Sequence, residues 1–127
     1  MMKTSALVAA VILCSALDAG AHHGQVGLFD DARITELKAV VKRWIFTNPH
    51  PILVVEAADE KGVKADWDVY FGPAAVPSLR RQGFSIETFK TGEALVIKGH
   101  PATSGAPGLD VLGKGTGVVR ADGRAVP

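Results

Sequence analysis

Four histidines in a chain of 127 residues are the side chains best suited to hold a metal ion. His22 and His23 directly follow Ala19-Gly20-Ala21, the small-residue pattern at which a signal peptidase cuts. Cleavage after Ala21 leaves a chain that begins with histidine. A terminal amine and the first imidazole chelate one ion together, and a third nitrogen from a distant imidazole completes a T-shaped copper(II) site. Copper(II) favours such tetragonal nitrogen sets and heads the divalent affinity order. The amine, whose ordinary pKa is about 7.7 to 8.0, gives up its proton readily to such an ion near neutral pH. His50 in Thr47-Asn48-Pro49-His50 and His100 in Gly99-His100-Pro101 stand beside proline at turn-like points. The expected metal ligands are thus His22, His23, His50 and His100, with copper(II) as the ion. Plainer roles stand beside this one: a solvated chain end for His22 and His23, a ring that ties the Asn-Pro turn for His50, and a structural or exposed ring for His100.

The leader sets the chemistry available to the rest. Lys3 gives a short positive region, Ala6 to Leu17 is apolar, and Cys14 lies within it. The expected organisation is a cleaved signal peptide, 1–21, and one small domain, 22–127, in the periplasm or secreted. That domain has no cysteine, so disulfides, thiolate metal sites and cysteine nucleophiles are excluded from it. Charge is balanced, with 14 Lys and Arg against 13 Asp and Glu, and the leader holds one of each, Lys3 and Asp18. No basic field for nucleic acid follows from this, and no charge block or second apolar run suited to a membrane.

The elements that must position the histidines read mainly as strands. Ile34 to Phe46 fits either period, but its β-branched and aromatic content favours a strand. Asn48-Pro49-His50-Pro51 turns the chain, Ile52 to Ala57 is a second strand, and Asp59-Glu60-Lys61-Gly62 is a hairpin turn. In the third strand Ala65, Trp67, Val69 and Phe71 alternate with Asp66, Asp68 and Tyr70. Ala74 to Gln82 is predicted as a helix, with Pro77 tolerated near its start and Gly83 capping its end. A fourth strand spans Ala94 to Lys98. A last strand, broken by glycines, takes in Leu109 to Leu112 and Gly115 to Arg120. The expected fold is mainly β, a small five-stranded OB-like barrel with one short helix between strands 3 and 4. His50 then lies in the loop between strands 1 and 2, and His100 at the start of the loop between strands 4 and 5. In OB folds those loops flank one binding face.

Ala21-His22-His23, Phe29-Asp30, Trp44, Thr47-Asn48-Pro49-His50, Trp67, Arg80-Arg81, Gly83, Gly92 and Asp122-Gly123-Arg124 occur in this order along nearly the whole mature chain. In that order and spacing the chain resembles a family of small exported bacterial proteins of unknown function. The chain departs from that family's pattern at Gly24, where a serine usually follows the histidines, and at Pro51-Ile52, where an aromatic residue usually stands. The resemblance implies a secreted small β domain and no established activity.

Other motifs carry less. Trp44, Phe46, Trp67, Tyr70 and Phe71 could stack bases or sugars, but a domain of this size needs such rings inside. Asp66 and Asp68 could recruit a cation, though a solvated face explains them. Gly113-Lys114-Gly115-Thr116-Gly117 lacks the spacing and the following helix of a phosphate loop. No nucleophile elbow or hydrolytic zinc spacing is present, so an enzyme finds little support. Two functions remain: a copper(II) binder using His22 and the Asn-Pro-His loop, and a metal-independent periplasmic module that binds a protein, peptide or glycan.

Overall fold

The computed structural model describes residues 27–127. Its first long element, β1 (Thr35–Ile45), is a strand, because Leu37, Ala39 and Val41 alternate inward against exposed neighbours. β2 (Ile52–Ala58) pairs antiparallel with the second half of β1, and β3 (Lys64–Tyr70) pairs along the whole of β2. The turn between β2 and β3 is held by the Asp59 carboxylate, which accepts the Lys61 and Val63 N–H groups at 2.8 and 2.9 Å. β4 (Ala94–Pro101) runs antiparallel to the first half of β1. β5 (Gly108–Asp110) closes the circle, parallel to the end of β3 and antiparallel to the end of β4. β6 (Gly117–Arg120) adds to β4 outside the circuit. The barrel order β1-β2-β3-β5-β4 and back to β1 is the OB-like arrangement expected from the sequence.

The core is aliphatic. Leu53, Val55, Val69, Ile97 and Leu109 are wholly buried, and Leu37, Val41 and Leu95 nearly so. Each such side chain stabilises the fold by about 1.5–3 kcal/mol relative to leaving it in water. Among the described residues, no helix is long and apolar enough to cross a membrane.

One end of the barrel is plugged by aromatic rings. α1 (Val76–Arg81) lies between β3 and β4, with Pro77 in its first turn, where the missing N–H costs nothing. It is shorter than the predicted 74–82, and the chain leaves it through Gly83 at a φ of 96°. Trp44 stacks on Phe46 at 5.2 Å and meets Phe71 and Phe89 edge-on at 5.6 and 5.0 Å. Its indole N–H donates to Ser85 O at 2.8 Å, so β1 grips the segment after the helix. Arg80 lies over the Phe46 ring. With Phe46 engaged by both Trp44 and Arg80, these rings fill the fold instead of offering a stacking platform.

At the other end, Trp67, Arg33, Thr35 and Pro101 border an open cleft. The Trp67 indole nitrogen is the one buried side-chain polar atom without a partner among the described residues.

Packing decides where the barrel is sensitive. Ile97→Ala is expected to cost about 2–5 kcal/mol, through lost transfer energy and the cavity left behind. Ile86→Ala, at a residue 75% exposed, should change stability by less than about 0.5 kcal/mol. Urea unfolding midpoints of the two variants measure the contrast.

Candidate functional site

The strand alternation that buries Val69 and Leu109 turns Asp68, Tyr70 and Asp110 to the outside of the barrel. Register makes these residues part of one lateral row. Ile52 is opposite Tyr70, Tyr70 is opposite Asp110, and Asp110 is opposite His100. His50 lies two residues before Ile52, at one end of the row, and His100 closes the other.

The middle of the row is covered by the segment leading into the barrel. Phe29 sits against Tyr70 with ring centroids 5.6 Å apart. The segment is held to the chain after β4: Asp30 N–H donates to Pro101 O at 2.9 Å, Thr103 N–H to Leu28 O at 2.9 Å, and the Thr103 hydroxyl to Gly27 O at 2.8 Å. Beside it lies a groove of about 310 Å³ lined by Leu28, Phe29, Asp68, Tyr70, Ser104 and Asp110.

Asp110 is the electrostatic centre of the row. One carboxylate oxygen accepts the Gly72 N–H at 2.8 Å. Burial raises its pKa above the ordinary carboxylate range, against the opposing pull of the Gly72 N–H, the nearby His100 and the Leu112 N–H. Gly72 is required where it stands, since its φ is 60° and a Cβ there would lie 2.6 Å from Leu112 Cδ2. Tyr70 has its phenol pKa raised, first by burial and then by the charge of Asp68 and a hydrogen bond to it.

The histidines fall into three places. His22 and His23 lie outside the described residues. His50 is exposed in the loop between β1 and β2, where the Asn48–Pro49 bond is cis. His100 belongs to β4 and does not begin the loop to β5. It is 6% exposed, and its Nδ1–H donates to Arg33 O at 2.7 Å. Strand β4 runs on past Lys98 because Gly99 faces inward, where a Cβ would meet Asp110 O at 2.9 Å, and because the Pro101 carbonyl still finds a donor in Asp30. His50 and His100 therefore stand at opposite ends of the row, with β3 and β5 between their strands. Among the described residues, no three His, Cys, Asp or Glu side chains gather as a metal site. Asp110 escaped the sequence reading, although the inward Leu109 beside it was the signal that it points outward. No spacing or motif signalled that Phe29 lies over Tyr70.

Two measurements check this electrostatic picture. Tyr70 is the only tyrosine, so absorbance near 295 nm follows its ionisation alone. The midpoint should lie above the ordinary phenol value and fall in Asp68→Asn while staying above that value, since burial is the larger cause. For Asp110, a raised folded pKa means that the linked stability is present below the ordinary carboxylate range and lost as pH rises through the folded value. Asp110→Asn keeps an acceptor for Gly72 and removes that ionisation. It should therefore unfold at higher urea than Asp110→Ala, which strands the amide donors at a cost of about 1–3 kcal/mol. The stability of Asp110→Asn relative to the parent should decline between pH 7 and pH 3.

No curated protein and no solved structure matches the chain. A family model does match, over residues 9–110. The match ends on the last residue of β5 and so takes in all five barrel strands. Matched over well more than half its length, the chain belongs to the family of unknown function DUF6152.

Proposed function

We propose that this protein is an exported copper(II)-binding barrel, acting in the periplasm or outside the cell. The ion is held by the amine and ring of His22, with His23 adjacent and one imidazole supplied by the barrel, His50 of the Asn-Pro-His loop or His100. The observation that carries the reading is the seat of Phe29 on Tyr70, because Tyr70 lies between the two barrel histidines in the row from Ile52 to His100. His22 is seven residues before Phe29, a covalent reach of at most about 24 Å. From Tyr70, His100 is two strand spacings away, roughly 10 Å, and the start of β2 is one. A tether of that length raises the effective concentration of the terminal chelate at either imidazole. Nitrogen donors of this kind suit copper(II) above the other divalent ions. Carriage or buffering of the ion fits so small a domain better than redox catalysis.

A second reading keeps the groove and dispenses with the metal. Leu28 is half exposed beside a groove that also offers the Tyr70 ring and the Ser104 side chain, a surface suited to a peptide, protein or glycan partner.

Copper(II) titration of protein processed to begin at His22, followed by electron paramagnetic resonance, separates the two readings. The copper reading expects one tight site with several nitrogen ligands, weakened by at least about tenfold, or 1.4 kcal/mol, when the His22 amine is acetylated and can no longer donate. Equal copper affinity in the free and acetylated proteins would overturn this ligand set, and the absence of tight binding in both leaves the metal-free module.

A further inference from the structure

We infer that His100, and not His50, supplies the barrel nitrogen to the metal. The inference rests on the copper reading above and names the ligand that the reading leaves open.

Ring orientation is the first argument. Arg33 O can only accept a hydrogen bond, so the His100 Nδ1 atom, 2.7 Å away, must carry a proton. In the neutral ring the lone pair is then fixed on Nε2. Metal-ligating histidines are arranged in this way, the second ring N–H given to a carbonyl or carboxylate that sets the tautomer and the plane of the ring. Among the described residues nothing comparable holds His50, which is exposed in a loop.

The free nitrogen also has room. His100 is 6% exposed, yet its Nε2 has no hydrogen-bond partner among the described residues and faces Gly113. A Cβ on Gly113 would stand 3.4 Å from Nε2, so the absent side chain leaves space on that side of the nitrogen. With Nδ1 committed to Arg33, Nε2 is the nitrogen left open to a ligand.

Connectivity ties the start of the described chain to the same place. Asp30 bonds to Pro101, the neighbour of His100, and Arg33, three residues further along, is the partner of the ring. The segment that carries the terminus therefore also orients His100. Asp110, opposite His100 across β4 and β5, places a carboxylate on the same outer side of the barrel.

The test compares two variants of protein processed to begin at His22. His100→Asn places an amide N–H where Nδ1–H stood, keeping the donor to Arg33 and removing Nε2. Copper(II) titration with electron paramagnetic resonance should show at least about a tenfold loss of affinity and one nitrogen fewer in His100→Asn, with His50→Ala within about twofold of the parent. The reverse pattern, with His50→Ala weakened and His100→Asn unchanged, overturns the assignment while leaving the copper reading intact. Equal loss in both variants also overturns it. Absence of tight copper binding in the parent sinks the reading itself, a separate result. If His100→Asn loses the native circular dichroism spectrum, Gly113→Ala takes its place. It keeps the imidazole and fills the space at Nε2, at some cost in stability from a φ of 116°, and parental copper affinity in that variant overturns the assignment.

Discussion

The barrel depends on one strand serving two neighbours. β1 pairs with β4 through its first half, Thr35 to Val40, and with β2 through its second, Ala39 to Ile45. Only Ala39 and Val40 belong to both ladders, so the changeover occurs there. Just beyond it the register with β2 shifts between Val41 and Arg43, placing an extra residue, Lys42, at the point where the strand must bend. Val41 keeps its backbone engaged across this point through Glu93 O and Gly92 N. Without that bend the sheet would stay open, and β5 would have no gap to close between β3 and β4.

Closure also explains why the outside of the barrel carries the polar chemistry. The inward positions are taken by Leu, Ile and Val, leaving no space for an ion or a ligand in the middle. Residues one step along each strand must face out, and where β3, β5 and β4 meet these are Tyr70, Asp110 and His100. Two loops and the segment around Phe29 then cover that patch enough to bury an imidazole and raise a carboxylate pKa, while a groove stays open beside it.

Much of this architecture was legible because local and global preferences agree. The period-two pattern from Ala65 to Phe71, the Asp-Gly turn chemistry at 59–62 and the basic last turn of α1 each point to the element that forms. Legibility ended where tertiary contacts override local signals. Gly99 and Pro101 read as strand breakers around His100, yet β4 continues through them because Asp110 needs the space beside Gly99 and Asp30 uses the Pro101 carbonyl. The single last strand expected over Leu109 to Leu112 and Gly115 to Arg120 divides in two, because β5 pairs between β3 and β4 while β6 pairs only on the outer side of β4. Asp110 and Phe29 gain their significance from register between strands distant in sequence, which no spacing within the chain reveals.

The two tryptophans divide the molecule in a way that reaches beyond packing. Trp44 is locked into the aromatic plug by its bond to Ser85, whereas Trp67 borders the open end with a sealed, unsatisfied N–H. Their emission therefore comes from opposite poles of one barrel, one rigid and hydrogen-bonded, the other carrying an unmet bonding demand that any local opening would relieve. Partial unfolding should then begin at the Trp67 pole and leave the Trp44 pole standing, giving this small protein a built-in polarity of melting.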